Sequence, residues 1–291
     1  MAKPPRSRIQ TVLRRLPKLA RAVRYYLSWK RRGDVRLVET TVGPLYVDAA
    51  DFSLGRQLLD TASYESQWTA WMKGAVQSGM CAVDVGANIG YYSILLGRAV
   101  GSTGRVLSFE PEPYNYSILS RNVRHNDLDG RVTPVPAALA DKPGKSQLFM
   151  DRRFFGVHSL SGENRISGGR QSVVDVDVVT LDDAVEAHGL TDRVNFLKID
   201  AQGAEGMILA GATRLLAQPH LTLLMEIWPH GLRNCGSSID GVFGVLTAAG
   251  MTPHQVNKKS PTLKPITWEE ARGRAARATG KWSSFNLVFV K

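Results

Sequence analysis

The sequence predicts an α/β fold, in which a doubly wound, mostly parallel sheet is covered by helices and preceded by a helical appendage. Three observations predict this fold. Short apolar runs rich in β-branched residues alternate with helical patterns between residues 81 and 256. A glycine-rich turn directly follows the first of these runs, where doubly wound sheets bind ligands. Before residue 36, apolar residues recur every three or four positions, which is typical of an amphipathic helix.

The charge of the chain is concentrated at its N-terminal end. Of the 291 residues, 43% are hydrophobic and 22% are charged, which is typical of a globular protein. Residues 1–36 contain twelve Lys or Arg and one acidic residue, whereas residues 37–291 carry 25 basic and 25 acidic groups. The net charge of +11 therefore gives no indication of a nucleic-acid-binding face on the main body.

We define the basic amphipathic segment, residues 1–35, as the leader. Its apolar stripe and its basic residues suit an anionic membrane surface, where apolar burial and charge attraction act together. The same pattern suits docking on its own domain or on a partner, and the two interpretations stay open. Peripheral membrane contact would involve residues 1–33.

The sequence lacks the signals of secretion or membrane insertion. No stretch approaches the roughly 18 apolar residues that span a bilayer, and the N-terminus has no signal-peptide core. The two cysteines, Cys81 and Cys235, belong to no CxxC motif and are expected to be free thiols in a reducing compartment. We therefore expect a cytoplasmic protein, which the leader would hold at the inner face of the membrane if it binds lipid.

Two elements are predicted before the main alternation. Residues 36–49 alternate in polarity around Gly43 and Pro44, which predicts a β-hairpin. The apolar spacing of residues 52–78 predicts a helical segment. We expect this N-terminal part, residues 36–78, to pack on the core of the main domain, residues 79–291.

The main domain then alternates strands and helices. Strands are predicted at 81–85, 105–110, 131–138, 194–200, 221–228, 251–256 and 284–291, and helices at 90–99, 113–126, 204–217 and 238–249. Pro134 and Pro136 predict that the third strand forms only a partial ladder, because proline has no N–H to donate. An insertion at about 139–193 contributes two strand-like runs around a loop rich in Gly, Ser and Arg, and then a short helix.

The segment VDVGANIGYY, residues 83–92, predicts a ligand site at the end of the first strand. Gly86, Asn88 and Gly90 form a tight turn that lets the backbone approach a ligand at the start of a helix. Asp84 places a charge in an apolar strand, so it needs a partner, and a cationic ligand group would serve.

The ligand is predicted to be a nucleoside that carries no phosphate. Glu110 ends the second strand, where a carboxylate reaches ribose hydroxyls. The turn spacing is not GxGxxG, and Asp84 next to the turn would repel a pyrophosphate. An acidic first strand and Glu110 together favour a phosphate-free nucleoside.

The chain resembles the FkbM-type methyltransferase family over about residues 60–291. The resemblance rests on the order and spacing of VDVGANIGYYS, SFEPEPYNYSILSRNVRHN, PAALAD, VTLDDAV, LKIDAQGAEGMILAGA, LMEI and NLVFV. It implies a class I methyltransferase fold, which is Rossmann-like, and S-adenosyl-L-methionine as methyl donor. It also implies O-methylation of sugars or of natural-product hydroxyls.

The resemblance also implies which residues bind the cofactor. Asp84, Gly86, Asn88, Gly90 and Glu110 match family positions at the donor, and Asn122, Ala137 and Ala138 fall where the adenine pocket is expected. Ala87, Tyr91, Pro111 and Asp200, which neighbour these positions or end the fourth strand, complete the predicted set. Many family members have Glu where this chain has Gln202, so we assign this position no catalytic role.

A buried lysine is predicted close to the expected position of the transferred methyl group. Lys198 lies inside an apolar strand and shares a face with Asp200. It must find a carboxylate, and Asp200, Glu205 and Glu226 are the candidates. An ion-pair network that only fixes the strand ends is the alternative to a catalytic role.

A hydroxyl acceptor needs a base within hydrogen-bond reach. Asp200 and Glu226 are the leading candidates, and His158, in the inserted loop, and His230 are alternatives because neutral histidine is a common base near pH 7. A divalent cation on Asp200, Glu205 and Glu226 is possible but not favoured, because three carboxylates also satisfy a lysine. No metal ligands are therefore assigned.

The predicted function is S-adenosylmethionine-dependent O-methylation of a sugar, a glycan or another small hydroxylated acceptor. Two alternatives remain: an RNA methyltransferase that uses the leader as its nucleic-acid arm, and a non-catalytic S-adenosylmethionine-binding module, which Gln202 favours. A nucleic-acid acceptor is not expected, because the segment after the fourth strand reads DAQG rather than the [DNS]PP[YF] of amino-methylating enzymes.

Overall fold

The computed structural model describes residues 33–151, 154–164, 172–257 and 260–291. The amphipathic helix predicted in the leader lies almost entirely outside the described residues and stays a prediction. In the described part of the chain, no helix combines the length and the apolar character needed to cross a membrane.

A hairpin and two helices precede the main domain. They are β1 (Val35–Thr40), β2 (Gly43–Asp48), α1 (Leu54–Thr61) and α2 (Ser66–Ala75). The helical character predicted for residues 52–78 is confirmed, and it takes the form of two helices because the chain has left-handed backbone at Ala62 (φ 56°) and Glu65 (φ 39°) between α1 and α2. This break turns Tyr64 and Glu65 toward the main domain, where both line its central cavity.

An eight-stranded sheet forms the centre of the molecule. Its strands are β3 (Cys81–Val85), β4 (Arg105–Phe109), β5 (Val132–Val135), β9 (Val194–Ile199), β10 (Thr222–Ile227), β11 (Thr252–Val256), β12 (Leu263–Pro265) and β13 (Phe285–Val290). The spatial order is β12-β11-β13-β10-β9-β3-β4-β5. Strands β5, β4, β3, β9 and β10 pair in parallel, and β13 lies antiparallel between β10 and β11. The predicted doubly wound, mostly parallel sheet is confirmed.

Helices cover both faces of this sheet. They are α3 (Tyr91–Ala99), α4 (Pro113–His125), α5 (Leu181–Ala187), α6 (Glu205–Ala210), α7 (Thr213–Ala217), α8 (Pro229–Asn234), α9 (Ile239–Ala248) and α10 (Trp268–Arg277). Neighbouring residues of one strand enter different cores, because strand side chains alternate between faces. Val83 packs in the core beneath α5, α6 and α9, whereas Ala82 packs in the core beneath α1 to α4.

The insertion forms a second, small sheet. Its strands are β6 (Ala138–Leu139), β7 (Gly144–Met150) and β8 (Ser172–Val179), in the order β6-β8-β7. The one strand predicted over 131–138 is therefore two: β5 ends at Val135, and after Pro136, which has no N–H for the ladder, the chain enters the other sheet as β6. The two strand-like runs predicted in the insertion are present as β7 and β8.

Several short elements differ from the prediction. The helix predicted over 204–217 is split at Gly211, where a Cβ atom would lie 2.2 Å from the carbonyl oxygen of Ala140, and it becomes α6 and α7. Helices α8 and α10 and strand β12 were not predicted. Helix α10 carries a capping box between Thr267 and Glu270, which is a sequence signal for a helix start.

Candidate active site

A cavity of about 310 Å³ opens at the carboxyl ends of the parallel strands. Val85 and Phe109 reach it from the last positions of β3 and β4, and Asp200 and Glu226 reach it from β9 and β10. Ligands of doubly wound sheets bind at this edge. Residues of the insertion, among them Phe155, also line it. The cavity is therefore formed by the sheet, the N-terminal part and the insertion together.

The glycine-rich turn after β3 packs directly against the end of β9. Gly86 has a φ of +72°, and a Cβ atom at this position would lie 1.9 Å from the carbonyl oxygen of Asp200. The N–H groups of Gly86 and Ala87 donate to the carbonyl oxygen of Phe109 at 3.1 and 2.9 Å. Only glycine can lie this close to the carbonyl oxygen of Asp200. At Gly86 the turn therefore presents backbone atoms, without a side chain, to the cavity.

Glu110, the residue after β4, is held in place by two backbone groups. Its Oε2 accepts from the Asn88 N–H at 2.7 Å and its Oε1 accepts from the Glu112 N–H at 2.9 Å. The side chain is 5% exposed. Burial raises the pKa of Glu110 to about 8, against the opposing effect of these two hydrogen bonds. The carboxyl group is thus fixed in orientation before any ligand binds.

This raised pKa predicts a pH-dependent loss of stability. Because the pKa of Glu110 is about 8 in the folded protein and ordinarily 4.5, folding takes up a proton between these values. The resulting stabilisation is complete below the ordinary pKa and is lost as the pH rises through about 8. Glu110→Gln removes this titration. The free energy of unfolding of the variant should therefore rise relative to that of the wild type by up to a few kcal/mol between about pH 5 and pH 8.

Urea unfolding of both proteins across this pH range measures the difference. Any lost hydrogen bond in Glu110→Gln gives an offset that does not change with pH. Glu269→Gln, at an exposed position in the first turn of α10, is the matched control and should run parallel to the wild type. Parallel curves for Glu110→Gln would contradict the raised pKa.

Two carboxyl groups at the ends of β9 and β10 are joined by one amide. The Gln202 Nε2 donates to Asp200 Oδ1 at 2.8 Å and to Glu226 Oε2 at 3.3 Å. Ser284 Oγ donates to Glu226 Oε1 at 2.7 Å. Burial, and next the charge of Asp200, raise the pKa of Glu226 well above its ordinary value. Glu226 is therefore harder to ionise than an exposed glutamate, and the Gln202 amide joins it to Asp200.

Glu65 is a cavity residue that the sequence did not predict. It precedes α2 with left-handed backbone, and its Oε2 accepts from Tyr92 Oη at 2.6 Å. Burial raises the pKa of Glu65, and the charge of Asp200 raises it further. A residue in a break between two helices belongs to no periodic pattern, so no signal in the sequence marks Glu65 as a cavity residue.

The buried lysine has a different partner from those predicted. Lys198 Nζ lies 3.0 Å from Asp84 Oδ1, with side-chain exposures of 5% and 0%. Burial lowers the pKa of Lys198, but attraction to Asp84 and then Asp200 outweighs it and raises the pKa overall. The same Nζ donates to the carbonyl oxygens of Val85 and Gly86, both at 3.3 Å. Asp84 is thus paired inside the protein, and its contact with a cationic ligand stays a prediction.

Nine of the predicted site residues line the cavity: Gly86, Asn88, Glu110, Pro111, Ala137, Ala138, His158, Asp200 and Glu226. Five predicted cofactor residues do not line it: Asp84, Ala87, Gly90, Tyr91 and Asn122. Ala87 packs in the core beneath α3, and Gly90 is the N-cap of α3, where a Cβ atom would lie 2.6 Å from Leu119.

Asn122 and Tyr91 fix the N-terminal part on the main domain. The side chain of Asn122 accepts from the Tyr46 N–H at 2.6 Å and donates to the carbonyl oxygens of Tyr46 and Ile89 at 3.1 and 2.7 Å. Tyr91 Oη lies 2.9 Å from Thr41 Oγ1 and accepts from the Tyr64 N–H at 3.2 Å. Both side chains are buried and make these structural contacts, and their role at the cofactor stays a prediction.

The histidines are poorly placed to act as bases. His158 Nδ1 accepts from the Asp151 N–H at 3.2 Å, so in the neutral ring the proton is on Nε2, which donates rather than accepts. His230 is not among the cavity residues, although burial lowers its pKa. The two carboxyl groups, Asp200 and Glu226, remain the candidate bases.

The three carboxylates considered for a cation do not converge. Glu205 Oε1 accepts from the Ala201 and Gly203 N–H groups at 3.0 and 3.2 Å, so it closes the turn before α6. Burial raises the pKa of Glu205 to about 7. Over residues 33–291 without the three undescribed gaps, no group of three or more His, Cys, Asp or Glu side chains is arranged to hold a metal ion.

The sheet has one antiparallel strand between β10 and β11, and its cavity, lined by carboxyl groups, lies at the carboxyl ends of β3, β4, β9 and β10. These two features define a class I methyltransferase fold, which is Rossmann-like. Residues 84–241 match the family model of the methyltransferase FkbM domain, which is more than half of the chain. The chain belongs to this family and is a methyltransferase of FkbM type.

Two curated relatives are also described as methyltransferases. Methyltransferase sdnD of Sordaria araneosa is 28% identical over 177 residues, which are 52% of this chain and 68% of that protein. Methyltransferase 1 of Beauveria bassiana (strain ARSEF 2860) is 30% identical over 142 residues, which are 44% of this chain and 57% of that protein. A crystal structure of methyltransferase FkbM from Methylobacillus flagellatus KT aligns with a TM-score of 0.45 and 17% identity, over 73% of this chain and 43% of that one.

Proposed function

We propose that the protein uses S-adenosyl-L-methionine to methylate a hydroxyl group of a sugar, a glycan or another small hydroxylated acceptor. The observation that carries the proposal is the chemistry of the side chains that line the cavity. Four carboxyl groups line it (Glu65, Glu110, Asp200 and Glu226), and among its described lining residues there is no Lys or Arg. A cationic, phosphate-free nucleoside suits such a cavity, and a pyrophosphate does not.

The residues present fit this donor. The Gly86 turn brings backbone to the cavity wall with no side chain in the way. Glu110, held by the Asn88 and Glu112 N–H groups, presents a carboxyl group to ribose hydroxyls. Ala137 and Ala138 line the cavity with small apolar side chains beside Pro111, which suits an adenine ring. When bound, the donor supplies an electrophilic methyl group on a sulfonium.

The acceptor hydroxyl would be activated by the Asp200 and Glu226 pair. The two carboxyl groups lie on one amide donor at the ends of neighbouring strands, and this pair would accept the hydroxyl proton as the oxygen is methylated. The alternative of a non-catalytic binding module is based on Gln202, because many family members have Glu at this position. Its amide donates to both carboxyl groups, so it holds the proposed base together and supports turnover.

A mass-spectrometric assay tests the proposed reaction. The purified full-length protein is incubated with S-adenosylmethionine and a panel of monosaccharides, glycans and small alcohols. We expect one or more hydroxylated acceptors to gain 14 daltons, with S-adenosylhomocysteine released in equal amount. RNA and cell-envelope extracts are tested as acceptors in parallel. Methylation of RNA alone would favour the RNA methyltransferase. Binding of the donor without methylation of any acceptor would favour the non-catalytic binding module.

We further propose that residues 1–33 bind an anionic membrane surface and so bring the enzyme to the inner face of the membrane. The full-length chain should sediment with vesicles that contain phosphatidylglycerol and not with phosphatidylcholine vesicles, and added salt should release it. The deletion of residues 1–33 should abolish sedimentation and leave donor binding intact. Unchanged sedimentation of the deletion variant would overturn this role.

A further inference from the structure

Two tryptophans form a stacked pair at the cavity. Trp228 directly follows β10 and is 4% exposed, whereas Trp282 lies in the loop before β13 and is 42% exposed. Their ring centroids are 5.4 Å apart and their planes differ by 24°. Both rings line the cavity that Glu226 also lines. An aromatic surface therefore lies on the same wall as the proposed base.

The pair is fixed by the sheet and by a hydrogen bond. Strands β10 and β13 are antiparallel and pair up to Ile227 and Phe285, so the two tryptophans follow and precede adjoining strand ends. Trp228 Nε1 donates to the carbonyl oxygen of Lys281 at 2.8 Å, which ties the loop to the buried indole. Single exposed apolar side chains are common on protein surfaces. Trp282 differs from these because it lines a cavity and is held on a buried ring.

Polar groups adjoin the aromatic surface on one side. Glu226 is two residues before Trp228, and Ser284 is two residues after Trp282. Ser284 Oγ donates to Glu226 Oε1 at 2.7 Å, which places this hydroxyl and carboxyl group side by side. Ligand sites commonly combine an aromatic wall with a few polar groups that fix orientation.

We propose that Trp282, supported by Trp228, is the acceptor subsite and binds a sugar residue by stacking on the C–H face of its ring. The proposal rests on the proposed function and specifies its acceptor. A pyranose has C–H groups on its face and hydroxyl groups on its edge. When the face stacks on the indole, the edge hydroxyls reach the carboxyl groups of Glu226 and Asp200, where one of them is activated.

Two other ring ligands fit less well. Lys281 Nζ lies 5.0 Å from the centroid of Trp282, so a cationic ring would meet a positive charge there. A catechol stacks on tryptophan but offers only two hydroxyl groups, and three carboxyl groups line the cavity beside this wall: Glu65, Asp200 and Glu226.

Saturation-transfer NMR with methyl β-D-glucopyranoside and methyl α-D-mannopyranoside tests the subsite, with catechol and sorbitol as comparison ligands. Each is titrated into the full chain with and without S-adenosylhomocysteine. We expect at least one pyranoside to bind, with saturation strongest at ring C–H protons, and Trp282→Ala to weaken it about tenfold or more. Trp282→Phe should retain most of the affinity, and Leu37→Ala, an exposed apolar residue on β1, should change nothing.

The outcomes separate this inference from the proposed function. Unchanged pyranoside binding in Trp282→Ala, no pyranoside binding to the wild type, or a clear preference for catechol would overturn the sugar subsite. Binding of S-adenosylhomocysteine is measured in the same samples by calorimetry. Its absence would contradict the proposed donor and leave the result on the pyranosides intact.

Discussion

Replacing Glu226 with Gln is expected to lower the rate of methyl transfer by about 100-fold to 10,000-fold, which is the usual contribution of a general base. The Gln202 amide joins Glu226 to Asp200, and a neutral amide in place of Glu226 removes one carboxyl group of the proposed base. Gln is similar in size to Glu, so it keeps a carbonyl oxygen for the Ser284 hydroxyl. The effect should appear in kcat rather than in donor binding.

Asp200→Asn should have an effect of the same order, since both residues belong to one base. The double variant should be little worse than either single variant, because residues that act as a unit are not additive. Glu269→Gln, exposed on α10, is the matched control and should keep the wild-type rate. Single-turnover measurement of methyl transfer, with donor affinity measured separately, checks these expectations. A Glu226→Gln variant within threefold of the wild-type kcat would remove the pair from the mechanism.

Replacing Lys198 with Met is expected to destabilise the protein by about 3–5 kcal/mol, which is the usual cost of breaking a buried ion pair. The substitution leaves Asp84, which is fully buried, with an uncompensated charge and only Ser93 Oγ as a hydrogen-bond donor, at 2.7 Å. It also removes the donor to the carbonyl oxygens of Val85 and Gly86. Urea unfolding followed by circular dichroism measures the loss.

Two further variants show whether the unpaired charge causes this loss. Asp84→Leu combined with Lys198→Met should lose less than Lys198→Met alone, because no charge remains buried. Lys145→Met breaks an ion pair with Asp177 whose side chains are 79% and 68% exposed. It should cost less than about 1 kcal/mol. Equal losses for Lys145→Met and Lys198→Met would contradict the importance of burial.

The sequence predicted the central sheet because its strands are apolar and its helices periodic. CAVDV and LTLLMEIW form β3 and β10 because both are covered on two faces, and continuous apolar runs are typical of such strands. The break between α1 and α2 was missed because Ala62 and Glu65 are ordinary residues in left-handed backbone. Tertiary packing selects that conformation, and no local signal marks it.

The sequence predicted where the site lies and several of the residues that line it. It did not predict which side chains pair with each other. Gly86, Glu110, Asp200 and Glu226 end or follow parallel strands, so their meeting at one edge follows from the fold. Asp84 was expected to meet a ligand because its partner, Lys198, is 114 residues away in the chain. Strand register decides such a contact, since Asp84 and Lys198 are direct neighbours across β3 and β9.

The tryptophan pair illustrates what the sequence leaves open. Trp228 and Trp282 are 54 positions apart and neither belongs to a recognisable motif. They meet because β10 and β13 are antiparallel neighbours, a pairing that follows from the topology rather than from local pattern. The aromatic wall of the cavity therefore becomes visible only in the folded chain.

Isothermal titration of the full-length protein with S-adenosylmethionine, S-adenosylhomocysteine and nicotinamide adenine dinucleotide tests the central claim most directly, namely that the acidic cavity receives a cationic, phosphate-free nucleoside. We predict saturable binding of the first two ligands, weakened at least about tenfold by Glu110→Ala, and no binding of the dinucleotide. Binding of the dinucleotide in this cavity, or no heat with either adenosyl ligand, would contradict the account.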